Sequence, residues 1–287
     1  MRRRGGPSRI AFDSGFEAGD EGVAGLAASM AEIEFFQLTD VGCVRVENED
    51  AVGYWPHDDG LVFAVADGLG GEAAGEVASS LALEVLGREM ERAPGTWSVA
   101  KRLRRAVQQA NLEIHTKAIT VPDLRRMGTT LTASAVVGGT LVAVHVGDCR
   151  LLRLRDGTLT QLTKDHSWVG EQVQYGLLSA EAARTHPKRH MLNRCLGREL
   201  IVGIDVLTTE VRPGDVLAQL SDGVHALVPE SEIAEILRMC PPEAACQTLV
   251  RRGQDAGGDD NLSVQVAAIL DCPPTPASPR RWWRLGR

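Results

Sequence analysis

Four apolar segments of the sequence carry an aspartate at one end, each beside a glycine or another polar residue. LVFAVADG contains Asp67, LVAVHVGD ends on Asp148, VLAQLSDG contains Asp222, and Asp260 shortly precedes LSVQVAAIL. An ionised carboxylate at the edge of an apolar core is costly unless it is hydrogen-bonded, paired or metal-bound. If these acids converge, their oxygens suit a hard divalent cation, Mg²⁺ or Mn²⁺, since no Cys or His stands at matching positions to favour zinc.

Glycines follow the first of these aspartates, in the sequence DGLGG. Because Gly68 has no Cβ, a ligand can come close to its backbone, and the site could take oxygens from both Asp67 and the Gly68 carbonyl. Gly70 and Gly71 are expected to leave space for the approach of a ligand.

The alternative is that each Asp-Gly pair is an ordinary tight turn, which is the commonest use of this dipeptide. Asp156-Gly157 is interpreted in that way, because short β-type segments flank it on both sides. Asp67-Gly68 and Asp222-Gly223 instead lead into helical patterns, and no short strand follows either pair directly. A plain hairpin therefore does not fit those two positions.

The elements that must position these acids are visible in the periodicity. Residues 74–92 and 97–119 place apolar residues at helical spacing and predict two amphipathic helices. Residues 129–162 switch to short alternating segments separated by two-residue turns, which predicts consecutive hairpins in an antiparallel meander. Residues 165–192 are polar and predict an irregular segment with short helices. Strands follow on either side of a turn at 212–215, then helices within 230–254, and a last strand closes the core.

Bulk properties limit the classes of function. The chain has 287 residues, 44% of them hydrophobic and 24% charged, and a formal net charge of -7, which does not favour a nucleic-acid partner. No apolar run approaches the roughly 20 residues of a transmembrane helix. The six cysteines form no C-x-x-C pair and predict reduced thiols in a cytoplasmic protein.

Composition divides the chain into three parts. Residues 1–32 predict a flexible leader, 33–271 the folded domain, and 272–287 a proline-rich, basic tail.

Eight blocks of sequence, in order, resemble the metal-dependent PP2C-type (PPM) protein serine/threonine phosphatases, in particular their bacterial members. The blocks are TDVGCVRVENEDA (39–51), FAVADGLGGEAAGEVAS (63–79), MGTTL (127–131), HVGDCR (145–150), LTKDHS (162–167), LNRCLG (192–197), LSDGV (220–224) and GGDDNLSV (257–264). The resemblance implies an α+β fold, a four-layer α-β-β-α sandwich of two antiparallel sheets flanked by helices. It also implies hydrolysis of phosphoserine and phosphothreonine on proteins by a hydroxide that bridges two metal ions.

The resemblance assigns roles to particular residues. It implies that Asp67 bridges two Mn²⁺ or Mg²⁺ ions, that the Gly68 carbonyl supports one of them, and that Asp222 and Asp260 hold the other. Asp50 would bind through water, and Asp148, together with Asp222, resembles the ligand of a third ion. Arg45 occupies the phosphate-gripping position, where its planar donor fork can bind two phosphate oxygens.

Some positions depart from the family pattern. Leu69 stands where some members have a histidine proposed as general acid, and it cannot donate a proton. Cys149 replaces a usual serine and is interpreted as a packing residue, His166 as a structural hydrogen-bonding residue, and His186 and His190 as shaping the flap at 165–192.

The implied partners are phosphorylated proteins and, by resemblance, a cognate bacterial Ser/Thr kinase, with the enzyme acting as a monomer. Two alternatives are a catalytically inactive phosphoprotein-binding module, whose signature would be a missing acid, and a phosphatase of the sporulation or stress-response type.

Overall fold

The computed structural model describes residues 8–10, 31–57, 60–71 and 73–273. In chain order the strands are β1 (Ser8–Ile10), β2 (Glu32–Asp40), β3 (Asp50–His57), β4 (Gly60–Leu69), β5 (Gly128–Thr129), β6 (Leu131–Val137), β7 (Thr140–Val146), β8 (Arg150–Arg155), β9 (Thr158–Gln161), β10 (Asp205–Glu210), β11 (Val216–Leu220) and β12 (Leu262–Asp271). The helices are α1 (Ala73–Arg92), α2 (Val99–Thr120), α3 (Trp168–Gln174), α4 (Ala180–Arg184), α5 (Asp222–His225), α6 (Glu230–Met239) and α7 (Pro242–Asp255), with a 3₁₀ turn at Pro122–Leu124.

The strands form two antiparallel sheets. The first sheet has the order β1-β2-β12-β11-β8-β9, and the second has the order β10-β7-β6-β4-β3, with β5 added to the end of β4. Alternation along β4 shows how the layers stack: Leu61 and Phe63 pack between the two sheets, whereas Val62, Ala64 and Ala66 pack against α1 and α2.

A third apolar cluster lies between the first sheet and helices α6 and α7, and includes Val264, Val266, Ile233 and Leu249. Three apolar layers thus separate four layers of secondary structure, in the order α-β-β-α, and the predicted fold class is confirmed. Within the described part of the chain no helix has both the length and the apolar composition needed to cross a membrane.

The predicted helices occur close to their expected bounds. The second of them, α2, begins after Ser98, whose Oγ accepts a hydrogen bond from the Lys101 backbone N–H at 3.3 Å. This N-cap satisfies one of the donors that a helix leaves free at its start.

The predicted meander over 129–162 is wrong at one place. Strands β6 and β7 form one hairpin and β8 and β9 another, but β7 belongs to the second sheet and β8 to the first. The link Gly147-Asp148-Cys149 therefore crosses from one sheet to the other. Gly147 has a φ of 114°, and a Cβ there would lie 2.4 Å from the Thr130 Cβ, so this crossing needs glycine.

The ends of the chain differ from the predicted boundaries. Ser8–Ile10, within the predicted leader, pair with Ile33–Phe35, and β2 already begins at Glu32. The rest of the predicted leader up to residue 30, and the predicted tail from residue 274 onward, lie outside the described residues.

Candidate active site

The predicted acids lie at one end of the sandwich, where the two sheets meet. Asp50 and Asp67 face each other as register partners at the end of β3 and β4 in the second sheet. Asp222 directly follows β11, and Asp260 shortly precedes β12, both in the first sheet. Asp148 lies on the link between the sheets described above.

These residues surround one opening, which we call the acidic cleft. It is lined by Arg45, Glu49, Asp67, Gly68, Leu69, Gly70, Gly71, Asp148, His190, Leu192, Asp222, Asp259 and Asp260. Of the seven predicted site residues, only Asp50 is not part of this lining. Asp50 is buried behind it, and its charge interacts with those of Asp222 and Asp260.

Two threonines of the MGTTL block fix the position of Asp67. The backbone N–H of Asp67 donates to Thr130 Oγ1 at 2.9 Å, and the carbonyl of Asp67 accepts from the Thr130 N–H at 2.8 Å and from Thr129 Oγ1 at 2.9 Å. The strand does not end at Asp67, as the sequence suggested, because Gly68 and Leu69 continue β4 by pairing with β5. The carboxylate is thus held on a paired strand and not on a loose turn.

The glycines after Asp67 have reasons other than the predicted one. A Cβ on Gly68 would lie 2.2 Å from the carbonyl oxygen of Gly75 and 2.6 Å from that of Glu49, so close backbone packing requires this glycine. Gly70 and Gly71 have φ values of 129° and 83°, which side chains rarely tolerate. A Cβ on Gly71 would meet only open space, so its backbone conformation already favours glycine, and the expected role of Gly70 and Gly71 in leaving space for a ligand stays a prediction.

Two histidines hold the crossing that carries Asp148. His166 accepts the Gly147 N–H on its Nδ1 at 3.1 Å, while its own backbone N–H donates to the Gly147 carbonyl at 2.7 Å. His225 donates from Nε2 to the Asp148 carbonyl at 3.0 Å. The sequence-based interpretation of His166 as a structural residue agrees with these contacts, and Cys149, fully buried beside Thr130, agrees with a packing role.

The loop that carries Arg45 is organised by Asn261. The Asn261 Oδ1 accepts the Glu49 N–H at 2.8 Å, and its Nδ2 donates to the carbonyls of Val41 at 2.9 Å and Glu47 at 3.0 Å. Asn261 is buried, so loss of its amide would leave three backbone groups without partners. It sets the position from which Arg45 reaches the cleft.

The Arg45 guanidinium donates from Nη2 to Asp260 Oδ2 at 3.0 Å. The other oxygen of Asp260 accepts the Asn261 N–H at 2.9 Å. A guanidinium has five N–H donors. Since the Arg45 side chain is 47% exposed, donors other than the one on Asp260 remain accessible from the cleft.

The carboxylates repel one another's charge. Burial, together with the charges of Asp222 and Asp260, raises the pKa of Asp50 to about 7, although the nearby hydroxyls of Ser263 and Ser221 act in the opposite direction. Burial likewise holds the pKa of Asp67 and of Asp148 well above the usual range, and in both cases Asp222 is the next cause. Such a cluster is stable as anions only when positive charge compensates it.

Asp222 is the member of the cluster that ionises first. Burial opposes its ionisation, but the close contact with His190 and the charge interactions with His225 and His190 outweigh it and lower the pKa of Asp222. The His190 Nδ1 lies 3.7 Å from Asp222 Oδ2, and this contact raises the pKa of His190. His190 therefore faces the cleft as well as the flap, which sequence reasoning missed.

The residues fit a divalent cation. The donors are carboxylate and main-chain oxygens, which Mg²⁺ and Mn²⁺ prefer. In addition, Oδ2 of Asp50 is buried without a hydrogen-bond partner, which is costly for a carboxylate oxygen unless a cation or a donor meets it. Within the described residues no three Asp, Glu, His or Cys side chains lie close enough together to hold a metal ion by themselves, and the acids are spread around an open cleft.

Residues 44–263 match the sequence profile of the family described as protein phosphatase 2C. The chain is 39% identical over 240 residues to the serine/threonine protein phosphatase PstP of Mycobacterium tuberculosis, which covers 83% of this chain and 45% of PstP. It thus spans less than half the length of that relative. It is also 36% identical over 231 residues to the serine/threonine phosphatase stp of Listeria monocytogenes, covering 79% of this chain and 92% of stp.

A solved structure of a relative is similar to this chain in three dimensions as well. The catalytic domain of serine/threonine protein phosphatase PstP in complex with two manganese ions is 36% identical to this chain and superposes with a TM-score of 0.73. The match covers 83% of this chain and 99% of that domain.

Proposed function

This chain belongs to the protein phosphatase 2C family, and we propose that it hydrolyses phosphoserine and phosphothreonine on proteins in a reaction that depends on Mn²⁺ or Mg²⁺. One observation carries the proposal: acids from both sheets border a single cleft that also contains an accessible arginine. A cation-binding acid cluster beside a phosphate-binding group is what metal-assisted hydrolysis of a phosphate ester requires.

The proposed metal ligands are Asp67, the Gly68 carbonyl, Asp222 and Asp260 for two ions, with Asp50 acting through water and Asp148 with Asp222 for a third. When bound, such ions lower the pKa of water and offset charge on the phosphoryl oxygens. Two observations support this set: the raised pKa of Asp67 and of Asp148, both buried beside Asp222, and the unpartnered oxygen of Asp50. A family relative, PstP, has been crystallised with two manganese ions.

Arg45 is proposed to bind and orient the phosphate. Its contact with Asp260 uses only Nη2, and the remaining donors can form the paired hydrogen bonds that a phosphate accepts. Asn261 positions this arginine indirectly, because it holds the loop from Val41 to Glu49 in place.

Two apolar side chains, Leu69 and Leu192, also line the cleft. They bring low-polarity surface beside the acids, where hydrogen bonds and charge interactions are stronger than in water. Neither can donate a proton, so the leaving alkoxide must take its proton from another group or from water.

The inactive-module alternative has no observation in its favour, because all five predicted acids are present: four line the cleft, and Asp50 is buried directly behind it. The finer partner assignments also remain proposals. We propose substrates phosphorylated by a Ser/Thr kinase, a monomeric enzyme and a cytoplasmic location, the last supported by six free thiols.

The test is hydrolysis of a phosphothreonine peptide by the purified chain in Mn²⁺, with and without a chelator. We expect activity that the chelator abolishes and added Mn²⁺ restores. Asp67→Ala should remove it, whereas Asp123→Ala, an exposed acid outside the cleft, should not. Activity in chelator, full activity of Asp67→Ala, or Mn²⁺ binding without hydrolysis of any phosphopeptide would contradict the proposal.

A further inference from the structure

A surface groove of about 430 Å³ lies between the first half of α2 and strand β10. Trp97, just before α2, and Ala100 form its apolar wall on the helix side, and Val206 of β10, which is 45% exposed, forms the wall on the strand side. Among the described residues, none that lines this groove also lines the acidic cleft. An opening of this size with an indole in its wall can take one or two side chains of a bound peptide.

The groove is positively charged. Lys101, Arg104 and Arg105 of α2 line it, at the spacing of three and four residues that places helical side chains on one face. The Lys101 Nζ lies 4.0 Å from the centre of the Trp97 ring. Arg104 and Arg105 are exposed and form neither an ion pair nor a hydrogen bond with any residue that the structure describes, and no acid stands among the described lining residues.

The stability of the helix does not explain this charge. Acids, and not bases, are favourable near the start of a helix, where the macrodipole is positive. The first turn of α2 contains no acid and already includes Lys101. The composition of the whole chain does not explain the charge either, since the formal net charge is -7. A local excess of cations with free donors suits an anionic partner, because complementary charge guides association between proteins.

The observations favour an acidic protein segment over other polyanions. A nucleic acid or an anionic membrane would extend beyond the groove and meet the acidic field of the rest of the chain, which opposes its binding. The walls formed by Trp97, Ala100 and Val206 offer a place for one apolar side chain beside the cations. The two guanidinium groups can bind the carboxylates of Asp or Glu through paired hydrogen bonds.

The groove lies within reach of a substrate bound in the acidic cleft. Val206 pairs with Val144 of β7, four residues before Asp148 of the cleft. At about 3.4 Å per residue this separation is roughly 14 Å along the strand. An extended peptide spans such a distance with about five residues or more.

We propose that this groove is a docking site for an acidic segment of the substrate protein, separate in sequence from the phosphorylated residue. One apolar side chain of the segment packs against Trp97, and its carboxylates bind Lys101, Arg104 and Arg105. The proposal rests on the phosphatase activity proposed above, and it adds which feature of a phosphoprotein selects it as a substrate.

The test uses the wild-type chain with Mn²⁺ and phosphothreonine peptides in which a neutral spacer of about 4, 8 or 12 residues joins the phosphorylated site to a second segment. This segment is acidic with a central leucine, acidic with a central serine, neutral with the leucine, or basic with the leucine. At the spacer that reaches the groove, the acidic leucine segment should lower KM about tenfold relative to the neutral one, equivalent to about 1.4 kcal/mol.

The change in kcat should be small, because docking outside the cleft binds the ground state and the transition state alike. High salt should reduce the advantage of the acidic segment, because it screens exposed charges. Serine in place of the central leucine should raise KM by about threefold, since less apolar surface is then buried.

A matched pair of variants checks where the preference arises. Arg104→Glu reverses one charge of the groove and should bring the ratio of KM for the neutral and acidic peptides close to one. Arg251→Glu makes the same change at an exposed arginine of α7, in the opposite outer layer, and should keep the ratio of the wild type. Because each ratio is taken within one variant, a general loss of activity does not affect it.

Equal KM values for acidic and neutral segments at every spacer, a preference for the basic segment, or an acidic preference that survives Arg104→Glu would overturn the docking site. Binding of RNA or of phosphatidylserine vesicles that depends on Arg104, without a preference for acidic peptides, would also overturn it. Equal KM values for leucine and serine would overturn the role of Trp97. Failure of the phosphatase proposal would look different, because the neutral peptide and p-nitrophenyl phosphate would then not be hydrolysed at all.

Discussion

Removing one buried charge should stabilise the metal-free protein. Asp50 is 8% exposed, its Oδ2 has no hydrogen-bond partner, and burial raises its pKa from 3.8 to about 7. In the unfolded chain Asp50 ionises near its ordinary pKa, so between these two values the folded state binds the proton more tightly. Ionisation of Asp50 therefore reduces the free energy of unfolding progressively as the pH rises from about 4 to 7.

The size of the effect follows from this shift. A pKa that moves from 3.8 to about 7 corresponds to roughly 3 units, or about 4 kcal/mol at 1.36 kcal/mol per unit, once the pH exceeds both values. This figure is an upper bound, because the neighbouring acids titrate together with Asp50. For a chain of this size about 4 kcal/mol corresponds to roughly 10 °C in Tm.

The perturbation is Asp50→Asn, which keeps the shape of the side chain and removes the charge. Thermal unfolding is followed by circular dichroism in chelator at pH 5 and pH 8. We predict that Asn raises Tm at pH 8 by up to about 10 °C and much less at pH 5, where folded Asp50 is already protonated. In Mn²⁺ the advantage should shrink, because the wild-type carboxylate then gains a compensating charge.

Asp215→Asn is the matched control, for which we expect a loss of stability where Asp50→Asn should give a gain. Asp215 is 1% exposed, but its carboxylate accepts hydrogen bonds from Arg155 at 2.6 Å and from the Arg212 backbone N–H at 2.9 Å, far from the cleft, so loss of its charge weakens these contacts and should destabilise the chain by about 1.5–3 kcal/mol. An Asp50→Asn variant that unfolds at or below the wild-type Tm at pH 8 in chelator would refute the reasoning about the cluster.

Three further predictions concern the cleft. Arg45→Ala should raise KM for a phosphothreonine peptide by about tenfold or more with a smaller change in kcat, since a hydrogen bond to a charged group contributes about 1.5–3 kcal/mol; steady-state kinetics check this. Asp222→Asn should lower kcat by at least about a hundredfold at saturating Mn²⁺, because metal assistance supplies several kcal/mol. Gly68→Ala should lower the free energy of unfolding by about 3 kcal/mol, measured with urea, because its Cβ would overlap the Gly75 carbonyl, whereas Gly71→Ala should cost about 1 kcal/mol of backbone strain.

The sequence was most informative where a local pattern, such as helical periodicity or an ordered series of motifs, could be recognised. Periodicity predicted α1 and α2 nearly to the residue, and the acids at strand ends, with the ordered motifs, predicted the family and the sandwich that the comparisons and the fold confirm. The convergence of Asp67, Asp148 and Asp222 could be predicted because strand direction places their ends at the same edge.

Contacts between residues that are distant in the chain could not be predicted from such local patterns. Two hairpins joined by three residues look like one meander, and only the pairing of β8 with β11 shows that the chain changes sheet at Gly147. His190 and Asn261 were missed for the same reason, since their partners lie far away in the chain. No local pattern distinguished Asn261, because the backbone groups that it binds lie far earlier in the chain.

Asp67 and Gly68 lie on the second sheet, whereas Asp222 and Asp260 lie next to strands of the first, so the proposed pair of ions would join one sheet to the other. The apolar layer between Phe63 and Leu217 sets how far apart those sheets stand. A substitution that loosens the packing between the sheets would therefore weaken metal affinity even when the chain remains folded. The dissociation constant for Mn²⁺ would therefore report how well the hydrophobic core between the two sheets is packed.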